Sequence, residues 1–372
     1  MSPETIAQLR LDSHQLSRPR FTAVGEAVRW MGAIQAQDLE MAKWAIGARL
    51  PDSTASAVQN AIDRGEIIRT HLLRPTWHLV SAEDVRWILE LTAPHISASL
   101  NAAHKTMGLT ARVVSRSNVL IEKSLSGGRH LTREELQAVF RKARIPAGGY
   151  RWHHLLLRAE LECLICSGPA KGGKPTYALL DERVPGGNRL TRDGSLEELA
   201  ERYFTSRSAA TLGDFMWWSG LPAAAARRAL EMVESKFVST VVGSRTYWVA
   251  DGRTRHVPGK ESVHVLPAYD EFIISYRDRS ASLPAGRYAN VVSSNGIFRP
   301  VVVKGGQVVG LWRRAKAEDA LMIEAWLFRK TTGSTLRSIE RGFARYAHFV
   351  GTRAHLVFRG ENRSTLLEGA GS

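Results

Sequence analysis

The chain has 372 residues, 44% of them hydrophobic, with 51 Lys and Arg against 36 Asp and Glu, a formal charge of +15 and a pI near 10.2. That length and apolar content give two or three domains with packed cores and exclude a disordered chain, while the charge points to a polyanionic partner. The start, MSPETIAQLR, lacks a basic segment followed by an apolar one, and no run reaches the ~18 apolar residues of a membrane span, so a cytoplasmic protein with no membrane partner is expected.

The excess charge is clustered. Residues 101–150 hold nine basic and three acidic side chains, and residues 301–372 hold twelve and six. Arg outnumbers Lys in both blocks, which suits planar contacts to phosphate.

In chain order, the first unit, residues 1–95, carries an apolar helical run (Ala27, Val28, Trp30, Met31, Ile34) that gives way to Gln35-Ala36-Gln37-Asp38. Gln35 and Gln37, two apart, project to one side where the helix ends, and two amides sharing a side can orient one water. Taken alone, such residues more simply cap backbone groups at a helix end. Val58–Arg64 then reads as a helix leading through Glu66-Ile67-Ile68-Arg69-Thr70 to a tip at Arg74-Pro75 and a strand Thr76-Trp77-His78-Leu79-Val80. On that strand Trp77 is expected to face the core and His78 the solvent. Arg69, His71 and Arg74 along the hairpin, with Trp77 and His78, are candidate DNA contacts.

The second unit, residues 96–188, repeats the plan. Thr132 with Glu135 forms a capping box ahead of Leu136, Val139 and Phe140, and a helix around Leu155–Cys163 leads to a tip at Gly168–Lys174 and the strand Thr176–Leu180. The two cysteines, Cys163 and Cys166, sit in an apolar run and read as core residues, because no second ligand pair follows to complete a zinc site. The turn-rich Val184-Pro185-Gly186-Gly187-Asn188 is a linker candidate.

In the third unit, residues 189–258, a helix opens at Asp193-Gly194-Ser195, a second starts at Leu221-Pro222, and Ala223–Ser235 leads through Lys236–Val241 and Gly243-Ser244-Arg245 to Thr246-Tyr247-Trp248-Val249-Ala250. Helices followed by a hairpin, three times over, is the winged-helix plan. A linker is expected at Gly252–Lys260.

Residues 259–372 change to period two. His264–Pro267, Ala289–Val292, Pro300–Val303 and Val308–Trp312 read as strands of a small β region, with Lys304-Gly305-Gly306-Gln307 as a hairpin turn. Two helices, Glu318–Phe328 and Thr335–Gly351, are expected to close the chain, the latter with a stripe of Arg337, Arg341 and Arg345 that is either a solvated face or a DNA contact. The fold class expected is therefore α+β: three tandem winged-helix modules, then a small β region and C-terminal helices. Trp30, Trp44, Trp217 and Trp218 are expected to be core aromatics on helices.

Phosphate-binding glycine loops, HExxH, GxSxG and kinase motifs are absent from the sequence. His153 and His154 are adjacent, so they point to different faces of a helix. Asp270, Glu271 and Asp278 allow a reading as a nuclease metal cluster, but Arg277 and Arg279 beside them fit better as ion-pair or phosphate partners. Arg313 and Arg314 follow an apolar strand and are candidates for a phosphate clamp.

The segment Trp30–Asp38, together with Arg74-Pro75-Thr76-Trp77-His78-Leu79-Val80, Pro267-Ala268-Tyr269-Asp270-Glu271 and Gly296-Ile297-Phe298-Arg299-Pro300, resembles the winged-helix DNA glycosylases of the AlkZ/YcaQ type, and the resemblance runs through nearly the whole chain. In that family the catalytic motif is a Gln, a small or apolar residue, and then a second Gln in the azinomycin-resistance branch or an Asp in the other. Gln35-Ala36-Gln37 matches the first branch. The resemblance implies hydrolytic excision of N7-alkylated purines from double-stranded DNA, including unhooking of interstrand crosslinks, by winged helices set as a C-shaped clamp in a nucleoid-associated protein.

Amides suffice for that chemistry. An N7-alkylated purine is already cationic and departs as a neutral base, so the enzyme need only place a water under C1′ and stabilise the oxocarbenium character of the sugar. The resemblance gives that task to Gln35 and Gln37 through their carbonyl oxygens, with Asp38 as possible support. No Lys adjoins the motif, so a monofunctional hydrolase without a Schiff base is expected, and the protein is separately expected to be a monomer without cofactor or metal. A non-enzymatic winged-helix DNA-binding regulator is the alternative of a different class.

Overall fold

The computed structural model describes residues 1–250, 261–316 and 321–359, and the strand 363–367. The expected linker Gly252–Lys260 lies outside the described residues. The fold is mixed α+β.

Three antiparallel hairpins recur. Ile67–Leu72 pairs with Thr76–Ser81, from Ile67 opposite Ser81 to Leu72 opposite Thr76, and the short strand Ile34–Gln35 adds to the free side of Thr76–Ser81. Ile165–Lys171 pairs with Lys174–Leu179, and Leu131–Thr132 adds to it in the same way. Phe237–Val242 pairs with Arg245–Ala250, where a single bridge between Ala210 and Trp248 replaces the added strand. In each case the added segment comes from between helices that precede the hairpin.

The helices begin where the sequence supplies an oxygen to meet their unpaired amides. Thr54, Thr110, Thr132, Thr191, Thr211 and Thr332 each accept a hydrogen bond from the amide three residues on. The capping box at Thr132 is reciprocal, since Glu135 accepts from the Thr132 amide at 2.8 Å. The helix Arg192–Ser206 starts earlier than expected, because Thr191 and not Asp193 caps it. Pro222 is itself the cap residue of Ala223–Val233.

The C-terminal region is a six-stranded sheet in the order Arg363–Leu367, Ala354–Phe358, Leu321–Leu327, Gln307–Lys316, Val301–Lys304 and Val263–Leu266. Two expectations fail here. The stretch ending at Phe328 contains the strand Leu321–Leu327 in place of a helix, paired with Gln307–Lys316 on one side and parallel to Ala354–Phe358 on the other. Its run Leu-Met-Ile-Glu-Ala-Trp-Leu carries a single charged residue and no strict alternation, and a short apolar strand is not distinguishable from a helical segment by periodicity alone. The stretch Ala289–Val292, expected as a strand, falls on the single helical turn Tyr288–Val291. The helix Gly333–Val350 makes the parallel crossover and lays Ile339, Phe343 and Tyr346 on the sheet. Of its basic stripe, Arg345 turns inward and donates to the Gly47 and Leu50 carbonyls, closing the end of helix Leu39–Gly47.

Two cores meet at the first hairpin. One joins residues 11–79 to residues 265–358, and it receives Ile34, Ile67 and Leu79 from one face of the hairpin. The other joins residues 33–96 to residues 157–276, and it receives Ile68, Leu72 and Val80 from the opposite face. The alternation of a strand thus sets this hairpin between two packed layers.

Arg10, Arg49 and Arg207 are almost wholly buried inside these layers. Arg49 forks onto Asp270 at 2.8 and 2.9 Å, and Arg207 donates to Glu271 at 2.8 Å. Glu271 also accepts from Trp218 Nε1, from the Ser275 hydroxyl and from the Gln35 backbone N–H. Asp270 and Glu271 are therefore the anionic halves of buried ion pairs, and Asp278 pairs with Arg245. The nuclease reading is corrected by this pairing, and no group of three potential metal ligands forms among the described residues. Among the same residues no helix is long and apolar enough to cross a membrane.

Candidate active site

Helix Val24–Met31 ends at Gly32, whose φ of +66° a side chain would strain, and the chain turns directly into the strand Ile34–Gln35. Gln35 is therefore on a strand, not at a helix end, and it is buried while Gln37 is exposed. Between them Ala36 is clamped on both sides. Its amide donates to the Trp77 carbonyl at 2.7 Å, and its carbonyl accepts from Arg69 Nε and Nη2 at 3.1 and 2.8 Å.

Both side-chain amides are tied to the hairpin by their oxygens. Gln35 Oε1 accepts from Arg74 Nη2 at 3.0 Å, and Gln37 Oε1 accepts from the Trp77 amide at 2.8 Å. An arginine and a backbone N–H can only donate, so the chemistry of the partners fixes which end of each amide faces them. Each oxygen keeps one further lone pair, and each NH2 group is turned away from its hairpin donor.

The supports of these donors are aromatic. Arg69 lies over the Trp77 ring at 4.3 Å, and Arg74 faces Trp217 at 5.4 Å. Burial lowers the pKa of both guanidiniums, against which Glu160 acts at Arg69 and Glu271 at Arg74. Trp217 is 38% exposed and donates its Nε1 to the Ile274 carbonyl, so it is not the core residue expected, unlike its fully buried neighbour Trp218. A second guanidinium, Arg279, lies 5.1 Å from the Trp217 ring and 4.9 Å from Phe298. Burial brings Arg279 down to about 10, and its Nη2 has no hydrogen-bond partner among the described residues.

Asp38 divides its carboxylate. One oxygen accepts from the Met41 amide at 3.1 Å as the N-cap of Leu39–Gly47, and the other lies 3.9 Å from Arg314. Tyr269 is near enough for Asp38 to help raise its phenol pKa, after burial. Tyr269 also holds a φ of +58°, uncommon for a bulky residue, with its ring 6.3 Å from Phe298.

The structure thus links Gln35 to Arg74, Gln37 to the Trp77 amide, Ala36 to Arg69 and Asp38 to Arg314, and Arg279 shares Trp217 with Arg74. The remaining candidates stand elsewhere. Arg277 is exposed. Arg313 shares Glu324 with Arg359, which neutralises part of its charge. His71 and His78 are buried, which corrects both as direct DNA contacts: His71 is locked onto Glu160 beneath Trp77, and His78 projects to the second core. Alternation alone misplaces His78 because both faces of this hairpin are covered. Trp217, Tyr269 and Phe298 are not singled out for the site by the sequence, although Tyr269 and Phe298 lie in segments that carry the family resemblance.

The AlkZ-like DNA glycosylase family matches residues 28–349. A curated relative, the interstrand DNA cross-link repair glycosylase of Streptomyces sahachiroi, is 22% identical over 307 residues, covering 78% of this chain and 82% of that protein. The solved structure of the Streptomyces sahachiroi DNA glycosylase AlkZ superposes with a TM-score of 0.81 at 21% identity, over 96% of this chain and 99% of that one. With its match extending over most of its length, this chain belongs to the AlkZ-like DNA glycosylase family.

Proposed function

We propose that this protein hydrolyses the N-glycosidic bond of cationic N7-alkylated purines in double-stranded DNA, with Gln35 and Gln37 positioning the water. The observation that carries the reading is the pair of amides locked to one hairpin by Arg74 Nη2 and the Trp77 amide. With one lone pair of each oxygen engaged, rotation of each amide is restricted and its second lone pair is held for a water, which lowers the entropic cost of orienting that water. The C1′–N9 bond breaks with its electron pair going to the purine, which leaves neutral. The water oxygen bonds to C1′, and its proton passes to solvent.

In this reading the helix–hairpin units of residues 1–95, 96–188 and 189–258 are winged helices set as a C-shaped clamp, with residues 259–372 closing it. A clamp suits a lesion tied to the opposite strand, which cannot be flipped freely. The name of the Streptomyces sahachiroi relative supports extending the substrates to interstrand crosslinks. Arg69, Arg74 and Arg279 serve the site, and Arg277, Arg313 and Arg314 offer charge to the phosphates. Asp38, already capping a helix, steadies the developing cation electrostatically.

Duplex DNA carrying N7-methylguanine tests the proposal. Free base should be released in the presence of EDTA, and borohydride should trap no covalent enzyme–DNA adduct. Absence of release above background contradicts the proposal, and a trapped adduct contradicts the hydrolytic mechanism.

A further inference from the structure

Gln35, His78 and Thr70 lie side by side on three adjacent strands, since Gln35 pairs with His78 and His78 with Thr70. Directly paired residues project from the same face of a sheet, so the three form one polar row. Thr76 belongs to the same face, two residues before His78. Around this row the face is apolar, with Ile68, Leu72 and Val80 in the second core. His78 and Thr70 are fully buried.

The row is unsatisfied in a specific way. His78 Nδ1 meets the Thr76 carbonyl at 2.9 Å, and because a carbonyl only accepts, Nδ1 carries the proton and Nε2 is a bare lone pair. That Nε2 has no hydrogen-bond partner among the described residues, and neither do Thr70 Oγ1, Thr76 Oγ1 and Arg74 Nε. One acceptor, one donor and two hydroxyls make a complementary set. Buried polar atoms left unmet are costly, and a buried water requires two to four such partners.

We propose that the row Gln35–His78–Thr70 is a buried water site behind the catalytic amides, and that His78 is a positioning residue of the hydrolytic step. A water accepting from Arg74 Nε and donating to His78 Nε2 fixes the guanidinium whose Nη2 holds the Gln35 oxygen. His78 is suited to this because it stays neutral: burial, reinforced by the Arg74 charge, brings its pKa down to about 3. Glu271 acts in the opposite direction and His71 in the same one. The inference rests on the proposed glycosylase reading for its catalytic half only.

Two arms test it on the full-length protein. In the first, single-turnover excision of N7-methylguanine is compared for wild type, His78→Phe and His78→Gln. His78→Phe should lower the maximal rate about tenfold or more with the duplex Kd unchanged, and His78→Gln, whose terminal oxygen can accept where Nε2 did, should recover most of it. A folded His78→Phe protein with the wild-type rate overturns the positioning role. In the second arm, 15N NMR of the wild-type imidazole should show the Nδ1–H tautomer down to about pH 5, with a water-to-His78 cross-relaxation signal. The Nε2–H tautomer or no bound water overturns the water site. If wild type releases no base, the glycosylase reading fails while the NMR arm still decides the water site.

Discussion

At the scale of single residues, the catalytic proposal depends less on the presence of two glutamines than on what holds their oxygens. A free glutamine rotates and averages its amide; here Arg74 and the Trp77 amide each take one lone pair. Arg74→Met should therefore lower single-turnover excision by about one to two orders of magnitude, as expected for an interaction that orients the reacting groups. Arg74 engages Gln35 and Trp217, so the slope of log K against log salt for duplex binding should not change. Arg277→Gln should do the reverse, leaving the maximal rate unaltered and reducing that slope by up to about 0.9, the value for one lost phosphate contact. Exchange of these two outcomes would refute the division of roles.

His78 supplies a residue-scale prediction in stability. Its folded pKa of about 3 lies below the ordinary 6.5, so the neutral form favoured by the fold is fully populated above pH 6.5 in both states. As pH falls from 6.5 toward 3 the unfolded chain takes up the proton first, and stability is lost. His78→Gln removes this loss, so its stability deficit against wild type in urea denaturation should narrow by up to about 3 kcal/mol between pH 7 and pH 4.5. His153 and His264, both lowered by burial to about 4, add slope to both proteins and do not affect the difference. A difference that stays constant with pH would show that His78 is not held neutral.

At the scale of elements, the first hairpin is placed by contact with helix Leu212–Ser219. That helix ends at Gly220, with φ of +71°, and a Cβ there would sit 2.8 Å from the Leu73 carbonyl and 3.4 Å from Arg74 Cγ. Leu73 itself is left-handed at φ +61°, so the tip is bent into the helix end. Gly220→Ala should cost about 1–3 kcal/mol in thermal or urea unfolding and should slow excision further than the stability loss explains, because it displaces Arg74. A normal excision rate in the Gly220→Ala variant would show that the tip moves independently of the amides.

Much of this level was legible in the sequence. The capping box at Thr132, the helix Gly333–Val350 and the turn between Val301–Lys304 and Gln307–Lys316 follow from local chemistry that no distant contact overrides. Leu321–Leu327 was not legible as a strand, since its identity comes from the parallel partner Ala354–Phe358, reached only through an intervening helix. The pair proposed as catalytic stands out in the sequence as Gln35-Ala36-Gln37, yet its setting does not. The strand Ile34–Gln35 exists because Leu79 and His78 pair with it, and the burial of His78 follows from a second core contributed by residues 157–276. In sequence Trp217 resembles its neighbour Trp218, and only the orientation of their helix separates them.

At the scale of the whole molecule, the net charge of +15 is untouched by the buried ion pairs, since each removes one charge of either sign, so the excess is carried by the remaining side chains. Arg10, Arg49 and Arg207 are interior, opposed by Asp214, Asp270 and Glu271, and they join the N-terminal helices to the segment 270–279. Such buried pairs are weak evidence for stability, but removal of one partner is severe because the other charge remains buried. Here they have a positional consequence: Glu271 accepts from the Gln35 backbone N–H, so the same pair that joins distant parts of the chain seats the strand Ile34–Gln35.

Hydrolysis by two locked amides is the feature on which the functional reading stands. The decisive quantity is the single-turnover rate of N7-methylguanine release from duplex DNA, measured at saturating protein for wild type and Gln37→Ala with equal duplex affinity confirmed. Wild type should release free base, and the variant should lose about two orders of magnitude or more in rate, as for removal of an orienting group. Release by Gln37→Ala at the wild-type rate would contradict the locked-amide mechanism.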